Sequence, residues 1–88
     1  MLAVYIIRSV TKPRRIYKGI TSNLEARLTC HNEGLVPITA SHRPWNLVIA
    51  VYFADSGAAH SFERYLKSGS GITFARRHFL GQPKDPPA

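Results

Sequence analysis

Two tyrosines, Tyr5 and Tyr17, lie twelve residues apart near the start of this chain of 88 residues. Arg27, His31 and Glu63 follow in that order. Hydrolysis of a phosphodiester needs a base that deprotonates the attacking water, cations that stabilise the pentavalent transition state, and a proton donor for the leaving oxygen. The five side chains include a candidate for each of these tasks, so their order indicates a phosphodiester-cleaving site.

Each of these residues also has a structural interpretation. Glu63 precedes Lys67 by four residues, and on a helix the two would form a surface ion pair worth about 0.3 to 0.5 kcal/mol. Tyrosines in strands are commonly core residues whose hydroxyl reaches water. Arg27 could lie on a solvated helix face, and His31 could make a cap contact at a helix end. The residue types alone leave both interpretations open.

The segments that must position the tyrosines have the composition of β-strands. Residues 4–9 and 16–21 are rich in β-branched and aromatic side chains, which predicts two antiparallel strands joined by a loop. Because side chains alternate along a strand, a register that pairs Tyr5 with Tyr17 would put both rings on one face. The sequence permits that register without requiring it. The apolar segment 45–53 predicts a third strand, buried on both sides in the middle of the sheet.

Helices are predicted to carry the other three candidates. Ser22 and Glu25 match a capping box, which predicts a helix of about ten residues that ends at Gly34. Arg27 and His31 are four residues apart on it, so both side chains can reach one site. A second helix is predicted to begin at Asp55 or Ser56 and to carry Glu63 in its middle. The other predicted segments are a loop over 35–43, a helix break at 68–71 and a basic helix over 72–79.

The composition favours a polyanionic partner. Lys and Arg number 12 against 5 Asp and Glu, which gives a net charge of +7. The single Cys30 excludes an internal disulfide framework and a cysteine-built zinc site, and it is consistent with a reducing cytosol. The apolar N-terminus is too short for a membrane span and lacks the basic start of a signal peptide. We therefore expect a cytoplasmic, non-membrane protein with one domain over residues 1–80 and a disordered, proline-rich tail over 81–88.

Taken together, these residues resemble the GIY-YIG nuclease superfamily, in particular a small single-domain branch similar to the nuclease half of Slx1 proteins. The resemblance extends from Val4 to about Phe79. The matching motifs are Ala3-Val4-Tyr5, Tyr17-Lys18-Gly19, Arg27 in Asn23–Leu28, His31 with Asn32 and Gly34, Thr39 with Arg43-Pro44-Trp45, Glu63 in Phe62–Lys67, and Lys67–Gly71 followed by Arg76–Phe79.

The resemblance implies an α/β (α+β) domain in which helices flank a small, mainly antiparallel sheet of three strands. It also implies that Glu63 holds a divalent metal, Mg²⁺ or Mn²⁺, and that Arg27 contacts the scissile phosphate. We expect Tyr5 to be the base, Tyr17 its hydrogen-bonding neighbour and His31 the relay for its proton. Since a phenol has a pKa near 10, nearby cations would have to lower that pKa.

The chain departs from the family pattern in three motifs. Ala3 and Val4 replace the usual Gly-Ile, which keeps the tyrosine. Lys18 occupies a position that is usually apolar, and it would disturb packing unless its ammonium group reaches water. Ala75 stands where some members carry an asparagine that contacts the substrate.

The function that the resemblance implies is metal-dependent endonucleolytic cleavage of DNA, with a structure-specific substrate as the narrower possibility. One alternative is a nucleic-acid-binding module of the same fold whose cleavage is weak or lost, and another is a subunit whose protein partner selects the substrate. The residues expected to bind phosphates are Arg8, Lys12, Arg14, Arg15, Lys67, Arg76 and Arg77.

Overall fold

The computed structural model describes residues 1–81 of the chain. Its strands are β1 (Leu2–Ser9), β2 (Ile16–Thr21) and β3 (Trp45–Phe53). Its helices are α1 (Leu24–Asn32), α2 (Pro37–Ala40), α3 (Ser56–Leu66) and α4 (Gly69–Ala75), and a π-helical segment (Arg76–Leu80) continues from α4. None of the helices described is long and apolar enough to cross a membrane. The predicted tail 81–88 lies outside the described residues except for Gly81.

The sheet has the strand order β2-β1-β3, and β1 pairs antiparallel with both neighbours. The predicted fold class, an antiparallel three-stranded sheet flanked by helices, is confirmed. The prediction that 45–53 lies in mid-sheet is wrong, because β1 is central and β3 exposes Leu47 and Tyr52 at the edge. An apolar run shows that a strand packs against a core. Pairing with other strands decides its place in the sheet.

The register between β1 and β2 differs by two residues from the Tyr5–Tyr17 pairing that the sequence permits. Tyr5 pairs with Gly19, and Tyr17 pairs with Ile7. Hairpin register depends on the loop, here 10–15, as well as on the strand residues. Because side chains alternate with a period of two, a shift of two residues leaves both tyrosine rings on one face, as predicted.

Two apolar clusters cover the two faces of the sheet. On one face, Val4 and Ile6 of β1 pack with Ala59 and Leu66 of α3 and with Ala75 of α4. On the other face, Tyr5 and Ile7 of β1 pack with Trp45 of β3 and with Leu24 and Leu28 of α1. The two tyrosines therefore lie on the α1 face, and α3 covers the opposite face.

The boundaries of α1 follow from local capping. Its N-cap is Asn23 and not the predicted Ser22, because the Asn23 side chain accepts a hydrogen bond from the N–H of Ala26 at 3.1 Å. At the other end, the N–H of Gly34 donates to the carbonyl of His31. Gly34 has a φ of +77°, which glycine adopts without strain. The predicted helix end is confirmed.

The remaining elements correct two boundaries. Asp55 caps α3, as predicted. The predicted break at 68–71 is shorter than expected, because the Ser68 hydroxyl accepts from the N–H of Gly71 and α4 begins directly after Ser68. The segment 35–43, predicted as a loop, contains α2, whose first residue is Pro37, a residue suited to the start of a helix.

Candidate active site

Four of the five predicted side chains meet on the α1 face of the sheet. The hydroxyl oxygen of Tyr5 lies 2.8 Å from Nε2 of His31. The ring of Tyr17 lies 6.3 Å from that of Tyr5 and 5.0 Å from that of His31, measured between centroids. Arg27, one turn before His31 on α1, lies close enough for its charge to act on both phenols and on the imidazole. The structure places Arg27 and His31 near each other, consistent with their spacing of four residues on one helix.

Gly19 provides the space that Tyr5 occupies. A Cβ atom at Gly19 would lie 2.5 Å from the Tyr5 hydroxyl oxygen and 2.6 Å from the ring carbon that carries it. Real Cβ atoms do not approach so closely. The glycine in Tyr17-Lys18-Gly19 is thus required because the phenol of the neighbouring strand lies across it.

His31 is fully buried and hydrogen-bonded through both ring nitrogens. Its Nδ1 lies 2.7 Å from the hydroxyl oxygen of Thr39, and its Nε2 meets Tyr5. Thr39, His31 and Tyr5 thus form a row of two hydrogen bonds, and two arrangements of the protons are compatible with it. In one, Nδ1–H donates to Thr39 and Nε2 accepts from the Tyr5 hydroxyl; in the other, Thr39 donates to Nδ1 and Nε2–H donates to Tyr5. Only the first leaves His31 able to take the phenolic proton.

The role of Thr39 in this row was not predicted from the sequence. Its carbonyl accepts from the indole N–H of Trp45 at 2.9 Å. Trp45 is in turn attached to the end of α1, because its backbone N–H donates to Asn32 Oδ1 at 2.6 Å and its carbonyl accepts from Asn32 Nδ2 at 3.1 Å. The signal that could have identified Thr39 is its place in the motif that ends in Arg43-Pro44-Trp45.

The electrostatics of the site keep Tyr5 and His31 neutral at neutral pH. Burial, assisted by the charge of Tyr17, raises the pKa of Tyr5, and the hydrogen bond and charge of the Arg27 guanidinium lower it only in part. The direction is opposite to the lowered phenol pKa that we expected. Burial, assisted by the charge of Arg27, lowers the pKa of His31. The protein alone therefore does not ionise Tyr5.

Tyr5 and Tyr17 differ in their access to solvent. Tyr5 is 0% exposed, whereas Tyr17 is partly exposed. A water molecule that enters the site therefore meets Tyr17 first, and Tyr5 lies behind it. The Nε atom of Arg27 is buried and has no hydrogen-bond partner within the described residues. A phosphate oxygen can accept from that donor only after the side chain turns it outward.

Glu63 is not brought into contact with the other four residues. It lies on α3, which packs on the opposite face of the sheet, and it forms an ion pair with Lys67. The charge of Lys67 acts on Lys18 of β2, so the pair lies on the β2 side of α3. Residues 1–81 contain no group of three or more His, Cys, Asp or Glu side chains that could hold a metal ion. A single carboxylate still suits Mg²⁺, which keeps several waters and takes other ligands from phosphate.

Lys18 does not disturb packing in the way its sequence position suggested. Its ammonium group donates to the carbonyl of Leu66 at 2.6 Å. Leu66 is the last residue of α3, where a cation is favourable for the helix dipole. The buried part of the side chain is thereby anchored by the helix end.

The predicted phosphate-binding residues occupy several places. Arg8, Arg14 and Arg76 line a groove beside β2, and Arg76 and Arg77 line a smaller cleft next to it. Lys67 pairs with Glu63, while Lys12 and Arg15 lie exposed between β1 and β2. Arg27 is not among the lining residues of either opening.

Comparison with known proteins agrees with this arrangement. Residues 1–72 match the family described as the GIY-YIG catalytic domain. The chain is 38% identical to the structure-specific endonuclease subunit SLX1 of Podospora anserina over 99% of its own length and 30% of that protein. It is 36% identical to the protein of the same name from Debaryomyces hansenii, over 83% of this chain and 26% of that protein. It is also 37% identical to the UPF0213 protein CPE1444 of Clostridium perfringens, over 73% and 68% of the two chains. The chain thus spans under a third of the length of these SLX1 relatives.

Proposed function

The chain belongs to the GIY-YIG family, and we propose that it is a metal-dependent endonuclease that hydrolyses phosphodiester bonds in DNA. The observation that carries the proposal is the convergence of Tyr5, Tyr17, Arg27 and His31 in one site, with a buried hydrogen bond between Tyr5 and His31. The relatives named as structure-specific endonuclease subunits give it further support.

We assign the attacking water to Tyr17, because Tyr17 is the phenol that solvent can reach. The water gives its proton to the Tyr17 oxygen, Tyr17 passes its own proton to Tyr5, and Tyr5 gives its proton to Nε2 of His31, with which it already shares a hydrogen bond. The transfer between the phenols, whose ring centroids are 6.3 Å apart, requires substrate binding to bring the two hydroxyls within hydrogen-bond distance. The imidazole ends as imidazolium and the water as the nucleophile, so protons balance. Neutral His31, which its lowered pKa provides at neutral pH, is the form able to accept.

Arg27 has two tasks in this scheme. Its charge opposes the cost of negative charge on the buried phenol of Tyr5. Arg27 is itself partly exposed, and its guanidinium can donate to an oxygen of the scissile phosphate, where negative charge grows in the transition state. Thr39 holds the imidazole in position through Nδ1.

Glu63 would hold the divalent metal, for which we propose Mg²⁺ or Mn²⁺. When bound, such an ion neutralises charge on the phosphate oxygens and assists the departure of the leaving oxygen. Lys67 competes for the same carboxylate, because the two form an ion pair. Release of Lys67 to a phosphate of the substrate would free Glu63 for the metal.

A second candidate function is a nucleic-acid-binding module whose cleavage is weak or lost. Two observations favour it: the pKa of Tyr5 is raised, and Glu63 is paired with Lys67 away from the other four residues. The relatives are named as subunits and are more than three times longer than this chain. We accordingly propose that a protein partner contributes to the choice of substrate.

A cleavage assay on end-labelled DNA separates these candidates. We would incubate the protein with single-stranded, duplex, flapped and branched DNA in Mg²⁺, in Mn²⁺ and in EDTA. The endonuclease proposal expects defined internal cuts that require the metal. DNA binding without cuts on any substrate would instead support the binding module.

A further inference from the structure

A groove of about 700 Å³ lies between β2 and the C-terminal helices. Four of its lining residues are cations that come from different elements: Arg8 of β1, Arg14 of the loop, Lys18 of β2 and Arg76 at the end of α4. Asp and Glu are missing from the lining formed by the described residues. We call this the basic groove. Tyr17 of the edge strand β2 also lines it, so the basic groove extends to the edge of the sheet, and the candidate active site lies on the other face.

The cations of the basic groove are not neutralised by the described part of the protein. The one ion pair within residues 1–81 joins Glu63 and Lys67, outside the groove. Arg8 donates through Nη2 to the carbonyl of Leu80 at 2.8 Å, but its Nε is buried without a partner. The Leu80 carbonyl thus holds the Arg8 guanidinium in the wall of the groove without neutralising its charge.

The lowered pKa of Lys18 shows that neighbouring cations repel its charge. Burial lowers its pKa first, and the charges of Arg76 and Lys67 lower it further. Like charges held close together cost free energy of folding, and an anion placed between them removes that cost. The arrangement is therefore better suited to a bound polyanion than to an empty groove.

Part of the basic groove comes from residues beyond the match to the GIY-YIG catalytic domain. That match ends at residue 72, whereas Arg76, Leu80 and Gly81 of the lining follow it. The groove therefore joins strand residues inside the matched domain to the segment that follows it.

We propose that the basic groove binds the sugar-phosphate backbone of DNA on one side of the scissile phosphate. Cations spread along an open groove match a row of phosphates better than a single small anion, which prefers converging donors. Arg8 and Lys18 put the groove on the α3 face of the sheet, so DNA bound in it passes the edge strand β2 at Tyr17 to reach the site on the α1 face. The proposal rests on the proposed function in that the ligand is the DNA to be cut, but its test needs no cleavage.

The test is the salt dependence of DNA binding in EDTA. Affinity for a short fluorescent duplex is measured by anisotropy over a series of salt concentrations. Each lost phosphate contact reduces the slope of log affinity against log salt by about 0.9. The double variant Arg14→Ser with Arg76→Ser should therefore reduce the slope by about 1.8, and each single variant by half of that.

Arg64→Ser is the matched control for the single variants, because Arg64 is exposed on α3 and does not line the groove. It should leave the slope unchanged. A double variant whose slope equals that of Arg64→Ser would overturn the proposal. Thermal melts at low salt check the fold, and the double variant should melt no lower than the native chain because it removes repulsion.

Failure of this proposal and failure of the proposed function look different. If the double variant still cleaves DNA with the metal and its salt slope is unchanged, only the groove proposal is overturned. If the double variant has a reduced slope but the native chain cuts no substrate, the groove proposal is upheld and the endonuclease proposal is overturned.

Discussion

The phenol of Tyr5 lies across the bare Cα of Gly19, its partner on the neighbouring strand. The contact places the hydroxyl of Tyr5 where Nε2 of His31 can meet it at 2.8 Å. A strand normally loses stability by carrying glycine. Here the glycine is needed because a buried hydroxyl occupies the space of a side chain.

Gly19→Ala should disable cleavage with the fold retained. The added methyl group would displace the Tyr5 hydroxyl and break its bond to His31. A displacement of this kind costs about 10² in rate. Single-turnover cleavage measures it, and Gly57→Ala on α3 is the control because a Cβ there meets its nearest neighbour at 3.4 Å. Cleavage by Gly19→Ala at the native rate would remove Tyr5 from the mechanism.

The two tyrosine hydroxyls should matter for rate more than for stability. Tyr5→Phe and Tyr17→Phe should each reduce the single-turnover rate by about 10² to 10⁴, the range for loss of a general base. The ring remains to pack, so the free energy of unfolding should fall by only about 1 kcal/mol for the lost hydrogen bond. Tyr52→Phe, at an exposed position of β3, is the control. If both Phe proteins cut at the native rate, the tyrosines are core residues only.

Glu63→Gln should abolish cleavage and leave DNA affinity nearly unchanged. Gln keeps the size of the side chain and removes the charge that would bind the metal. Cleavage and binding are measured in saturating Mn²⁺, with Glu33→Gln as the control because Glu33 is exposed at the end of α1. Undiminished turnover by Glu63→Gln would favour a purely structural ion pair with Lys67.

The stability of the protein should decrease at mildly acidic pH because of His31. Its pKa is lowered from 6.5 in the folded protein, so the unfolded chain binds the proton more readily. The contribution of neutral His31 is complete above pH 6.5 and is lost as the pH falls through the folded pKa. Thermal melts between pH 7.5 and about 5 should show this decline. The decline should be smaller in His31→Gln and unchanged in His60→Gln, an exposed control.

DNA binding by the native chain should depend strongly on salt. With roughly four to six phosphate contacts, the slope of log affinity against log salt should be about −4 to −5 for duplex DNA. Anisotropy titrations measure it. A slope near zero would mean that the net charge of +7 serves solubility only.

Much of this architecture follows from local sequence. Gly34 and Asp55 mark helix boundaries through backbone geometry and capping, which involve only nearby residues. The common face of Tyr5 and Tyr17 was also predictable, even though the register was not. Side chains alternate between the faces of a strand, so a shift of two residues leaves each side chain on the same face. The fold class and the family follow from the order of such motifs.

The tertiary structure decided what depends on residues far apart in the chain. His31 meets Tyr5 across 26 residues, and Thr39 reaches His31 only because Asn32 and Trp45 join α1 to β3. Burial in that enclosed row raises the pKa of Tyr5, where the isolated motif predicted a lower one. Strand order and the basic groove likewise depend on residues that are far apart in the chain. The physical reason is that burial and Coulomb interactions depend on distance in space, which the order of residues along the chain does not specify.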